Sequence, residues 1–137
     1  MGLDSGLLIK PKTVAGGNFL AENFGYCQDE YLSGVIPVYE FAYFRKCWNI
    51  RHAMLITGLA ADADDYELKI ADLEKVVLVM KYFLDENHWD TSESIWEWYI
   101  QVPAIAETIK KIRLFLDYLD GEDLDDRDFS IVWYDSY

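Results

Sequence analysis

Residues 38–57, V-Y-E-F-A-Y-F-R-K-C-W-N-I-R-H-A-M-L-I-T, constrain this chain more than any other stretch. Aromatic residues are dense here and are interleaved with polar ones. Laid out at about 100° per residue, Phe41, Phe44, Trp48 and Leu55 fall in one narrow sector, and Cys47, Ile50 and Met54 widen it. So broad an apolar face predicts a single, mostly buried helix over 38–57. Arg45, Asn49 and His52 share its opposite side. Glu40 and Arg51 project between the apolar sectors, where a charge needs a partner. They lie about 16 Å apart along a helix axis, so each partner must come from elsewhere in the chain or from a ligand. Two readings of the polar groups follow. One is a solvated face with structural ion pairs. The other is a cation-lined pocket for an anionic ligand, built from Arg45, Lys46, Arg51 and His52.

That cationic stretch stands out because the chain as a whole is acidic. Twenty-five Asp and Glu against 12 Lys and Arg give a net charge of −13. Such a charge disfavours unaided binding to nucleic-acid phosphates, since no counterion release would drive it. It is compatible with a basic partner surface, and otherwise it serves solubility. The 137 residues allow one domain, 1–137, with one core. Hydrophobic content of 52% and aromatic content of 16% argue for a folded globule rather than a disordered chain. Cys27 and Cys47 show neither C-x-x-C nor zinc-ligand spacing. No secretory signal opens the sequence, and no apolar run approaches a membrane span. The expectation is a cytoplasmic protein with free thiols, although spacing leaves a disulfide between the two cysteines open.

Gly6 to Lys10 reads as a short strand, stopped by Pro11. Residues 12–34, punctuated by Gly16, Gly17, Asn18, Asn23, Gly25, Ser33 and Gly34, read as irregular, with Phe19, Leu20, Phe24 and Tyr26 tacking the segment down. Gly16-Gly17 lacks the Lys-Ser/Thr of a phosphate loop. Pro37 suits the first turn of the central helix, and Gly58 its stop. Asp62, Asp64 and Asp65 miss the calcium-loop spacing and read as a solvated turn. Tyr66 to Ile70 is extended. Asp72 then caps a second helix with a Leu73, Val76, Val77, Met80, Leu84 stripe, ending near 85–87. Residues 88–100, H-W-D-T-S-E-S-I-W-E-W-Y-I, are either a segment packing Ile95 and Trp96 into the core or an aromatic, acidic patch that engages a partner. Pro103 opens or bends a third helix with the seam Ile105, Ile109, Ile112, Leu116, Leu119, ended by Gly121. An exposed acidic linker over 122–128 leads to a closing strand over 129–134. The fold class expected is α+β, with about three main helices packed on a small sheet formed by the N- and C-terminal strands.

Four stretches, M-G-L-D-S-G-L-L-I-K, E-F-A-Y-F-R-K-C-W-N-I-R, S-E-S-I-W-E-W and F-S-I-V-W-Y-D-S-Y, resemble in the same order a family of small phage and prophage proteins. Its members start M-G-L-D and carry an A-Y-W-R-K helix. Phe44 stands here in place of the family's Trp, and Cys47-Trp48-Asn49-Ile50-Arg51 departs from the A-N-A-I-H of some members. The resemblance implies a phage or mobile-element origin and an accessory rather than virion role, with no particular activity. Its matched polar residues are Asp4, Glu40, Tyr43, Arg45, Lys46, Arg51, Trp96 and Tyr134 to Tyr137.

Function is expected to be protein–protein binding to a host or phage protein, including modulation of a host factor or defence system. The alternative is a small-molecule or nucleotide-binding protein using Arg45, Lys46 and Arg51. The sequence offers no nucleophile–base pair, metal set or phosphate loop, so no catalytic residue, metal or cofactor is expected. Candidate binding residues are Glu40, Tyr43, Arg45, Lys46, Arg51, His52, Trp89, Trp96 and Trp98.

Overall fold

The two ends of the chain build the middle of a sheet, the last strand with strict burial alternation and the first with a short apolar run. β1 (Asp4–Pro11) and β4 (Phe129–Ser136) pair antiparallel along their whole length, from Asp4 opposite Ser136 to Pro11 opposite Phe129. Ser5, Leu7 and Ile9 share one face with Asp135, Trp133 and Ile131, and all six are buried. The opposite face carries Asp4, Gly6, Leu8 and Lys10 beside Ser136, Tyr134, Val132 and Ser130. β2 (Tyr39–Arg45) joins β1, and β3 (Tyr66–Leu68) joins β4, giving the antiparallel order β2-β1-β4-β3. This computed structural model describes residues 3–25, 37–62, 64–89 and 95–136, except for the side chains of 95–97.

The predicted helix over 38–57 is not formed as one element. Its first half is β2, and its second half is α2 (Trp48–Ile56). Between them Lys46 takes a φ of 55°, in the left-handed region that interrupts any regular element. The pattern misleads because β2 is bulged. Leu7 pairs with Ala42 and Leu8 with Glu40, so Phe41 is an extra residue. Phe41 and Ala42 are both buried, and the spacing from Phe41 to Phe44 becomes three. Nor is the expected apolar face buried throughout: Phe44 is buried, but Trp48 is 44% exposed. Pro37 precedes β2 rather than opening a helix.

A second correction concerns residues 14–24, expected to be irregular. They form α1 (Val14–Phe24). Thr13 caps it, its hydroxyl accepting from the Gly16 N–H and donating to an Asp128 carboxylate oxygen. Gly16 is present for closeness rather than flexibility, since a Cβ there would collide with the Asp128 carbonyl. Residues 26–34 of the expected irregular segment, with Cys27, lie outside the described residues; Cys47 is buried.

α3 (Leu73–Tyr82) buries Leu73, Val76, Val77 and Met80 as the stripe predicts, whereas Leu84 falls past its end and is partly exposed. α4 (Ile95–Leu119) starts well before Pro103, which lies inside it. Its seam is Ile105, Ile112, Phe115 and Leu119, with Ile109 and Leu116 partly buried. Phe115 anchors an aromatic cluster, meeting Phe19, Phe41 and Phe129 edge-on at centroid distances of 5.8, 5.8 and 5.2 Å. The architecture is α+β, with four helices among the described residues packed on a four-stranded sheet whose central strands are the two chain ends. No helix of the described residues is long and apolar enough to cross a membrane.

Candidate functional site

The break between β2 and α2 divides the sequence candidates between two surfaces. Glu40, Tyr43 and Arg45 belong to the sheet, and Lys46 follows directly at its edge. Glu40 and Arg45 are exposed, and Tyr43 donates a 2.8 Å hydrogen bond to the Asp4 carboxylate. Asp4 lies opposite Arg45 on one side and Ser136 on the other, so the first strand is beside Arg45 and the last strand lies beyond it. Tyr134 completes this solvent-side group: its phenol is pushed up to about 12 by burial first, then by the charges of Glu40, Tyr43 and Asp4. The Tyr43 phenol is also raised, first by the hydrogen bond to Asp4 and then by burial. Arg45 and Lys46 line a shallow cleft with Tyr43, Ile100 and Gln101.

Arg51 and His52 belong to α2 and line a different cleft, of about 550 Å³, between α2 and the end of α3. Its other lining residues include Trp48, Asn49, Ile56, Tyr82, Phe83, His88 and Trp89. The floor is preset. Trp89 is buried, its indole N–H donates to the Phe83 carbonyl at 2.9 Å, and the two rings meet edge-on. On the rim, His88 stacks on Tyr82 with 3.9 Å between centroids, and its Nδ1 donates to the Tyr82 carbonyl. The Arg51 guanidinium lies 5.6 Å from the Trp48 ring centroid and is paired with Asp62. Arg51 thus finds the outside partner that its place on the helix demanded.

Trp98 is half-buried and donates its indole N–H to the Leu84 carbonyl, which ties the start of α4 to the end of α3. Trp89 and Trp98 therefore hold structure together rather than forming an exposed patch. The Trp96 side chain lies outside the described residues. The sequence reading passed over Trp48 as a rim residue, and with it Tyr82 and His88. Tyr82 carried a signal, as an aromatic residue off the buried stripe of α3. His88 carried none until α3 was folded against α2.

Among the described residues, no group of three or more His, Cys, Asp or Glu is placed to hold a metal ion. No family model, no curated protein and no solved structure matches the chain.

Proposed function

We propose that this chain is a phage-type accessory protein that acts by binding another protein, from host or phage, at the cleft between α2 and α3. Modulation of a host factor is the biological role this reading assigns. The observation that supports it best is convergence. Large exposed apolar side chains scattered singly over a surface mean little, but a cluster marks an interaction site. Here Trp48, Ile56 and Tyr82, at 44%, 71% and 52% exposure, meet on the rim of one open cleft with a rigid aromatic floor. Trp and Tyr in such settings supply most of the energy of protein interfaces. The resemblance to phage and prophage proteins supports the choice of a host or phage partner.

The test is capture from host lysate by the tagged chain, compared with a Trp48→Ala, Ile56→Asp double variant. Ile56 is 71% exposed, so an Ile56→Asp single variant should hardly move the thermal midpoint and serves as the folded control, whereas replacing Trp48, 44% exposed with its ring beside the Arg51 guanidinium, should cost some stability. A salt-sensitive partner retained by the native chain and lost by the variant is the expected result. Capture of the same proteins by both would remove the cleft from consideration.

A nucleotide or other small anion is the second reading, favoured by Arg51, His52 and His88 lining the same cleft. It no longer uses Arg45 and Lys46, which line a different one. Stabilisation by nucleotides in a thermal-shift series would favour it, because a ligand bound only to the folded state raises apparent stability.

A further inference from the structure

We infer that the groove at the C-terminal end of α4 docks a basic, amphipathic segment of another protein, with lysines or arginines over an acidic rim and an apolar side chain on the floor. This surface is separate from the α2/α3 cleft, so the inference does not rest on the reading given to that cleft. The floor is built from Ile70 ahead of α3, Leu116 and Leu119 of α4, and Leu124 after it, all buried or half-buried. The rim carries six carboxylates, all exposed, and no Lys or Arg among the described lining residues. The chain's own cations do not cancel them. Arg113 pairs with Glu74, and Arg127 pairs with Asp125. Lys12 reaches the Asp126 carbonyl, but its ion pair is with Glu67. Asp117, Asp120 and Glu122 take part in none of the ion pairs among the described residues. They stand where the helix dipole favours a cation, and the last turn of α4 has no basic residue of its own.

Charge decides the occupant. A second copy of this chain would bring a net charge of −13 against the same rim. Nucleic-acid phosphates and an anionic lipid surface carry that sign too. A free divalent ion needs converging ligands, and no three acidic side chains among the described residues are placed to hold one. Carboxylates that are spread rather than convergent suit several cationic side chains spaced along a segment, each gaining a charge-assisted hydrogen bond. A wholly polar segment would leave the floor wet, whereas Leu, Ile or Phe beside the basic residues would bury against Leu116 and Leu124. The groove's volume, about 740 Å³, lies within the range of about 300–1,000 Å³ usual for binding sites.

The test is selection of short random peptides displayed against the folded chain at low ionic strength, repeated against an Asp120→Lys, Glu122→Lys double variant and against Ile56→Asp in the other cleft. Both charge reversals fall at exposed positions, and the thermal midpoint of the double variant should not fall, so lost binding is not lost folding. The expected outcome is enrichment of peptides that place Lys or Arg beside Leu, Ile or Phe. Their binding should weaken on the order of tenfold in the double variant, and again as sodium chloride rises from about 0.05 to about 0.5 M, and it should be unchanged in Ile56→Asp. No enrichment, or enrichment of acidic or uncharged peptides, would overturn the inference. So would basic peptides whose apolar residues can be replaced by Ser without loss, because surface charge alone then explains them. Displacement of the enriched peptides by about 1 mM calcium chloride at constant ionic strength would assign the rim to a metal ion and overturn it as well. Peptides lost in Ile56→Asp but kept by the double variant would overturn this inference while supporting the reading of the α2/α3 cleft.

Discussion

Tyr134 and Gly6 form a pair in which neither residue is free to change. They face each other across β1 and β4, and a Cβ on Gly6 would stand 2.8 Å from the tyrosine ring and 2.9 Å from its hydroxyl. Closing the ring over the backbone shields the phenol from water, and Glu40 and Asp4 surround it with negative charge. Both effects disfavour the phenolate, so the folded phenol sits at about 12, above the roughly 10 of an unfolded chain. For a raised pKa the sign is fixed. The contribution is complete below about pH 10 and is lost as pH rises through about 12. The urea midpoint of the native chain should therefore fall faster from about pH 9 to about pH 11 than that of Tyr134→Phe, which keeps the ring over Gly6. Parallel curves would show that the phenol is not shielded in this way. Tyr134 and Asp4 are named by the sequence motifs, but only the register of three strands puts them together with Glu40.

At the scale of elements, β2 is an outermost strand of the described sheet, and α4 runs beside it. Gln101 and Lys111 reach from that helix to the strand's outward carbonyls, at 2.8 Å to Arg45 and 3.2 Å to Glu40. Satisfying those groups within the chain blunts an edge that would otherwise template pairing with another molecule. Gln101 is 5% exposed, so its loss leaves an acceptor poorly solvated. Gln101→Ala should lower unfolding stability by about 1 kcal/mol in urea titrations. Gln101→Glu is nearly isosteric but sets an acceptor against an acceptor, and it should cost more. If Ala proves the worse of the two, packing rather than hydrogen bonding explains the residue. This same edge shows where the sequence was legible. α3 and the second half of α4 carry helical stripes, β1 a short apolar run closed by Pro11 and β4 a run of β-formers, so each announces its type. β2 does not. Its bulge puts Phe41 and Ala42 on one face, and the steps from Phe41 to Phe44 and on to Trp48 become three and four, which is the helical period. α1 is hidden for the opposite reason: its Gly16-Gly17 pair signals a loop, while Gly16 is used for close packing against the Asp128 backbone. The cleft was half legible. Arg51 and His52 come from one local stretch, but Tyr82 and His88 join them only through the packing of α2 on α3.

Across the whole molecule, the charge of −13 is unevenly placed. Residues 117–128 hold seven carboxylates against Arg127 alone. A groove of about 740 Å³ there has Ile70, Leu116, Leu119 and Leu124 among its lining, together with Glu74, Asp117, Asp120, Glu122, Asp125 and Asp126, and with no Lys or Arg among the described lining residues. Arg127 is engaged by Asp125, whose carboxyl it holds below the usual range. The groove lies at the C-terminal end of α4, where the helix dipole is negative and where cations are favoured; the last turn of α4 has no basic residue. Like charges are thus stacked on the negative end of a helix, and the folded state bears the repulsion. Sodium chloride at about 0.5 M screens charges beyond a few ångströms, so it should raise the urea midpoint relative to low salt without changing the slope of the transition. Asp120→Lys should stabilise the chain by about 0.3–1 kcal/mol at low ionic strength, the usual worth of a cation in the last turn. That gain should shrink as salt is added, because the same repulsion is then already screened. A gain that persists undiminished in high salt would mean that the substitution acts through local packing, and that the acidic end of α4 is not under electrostatic strain.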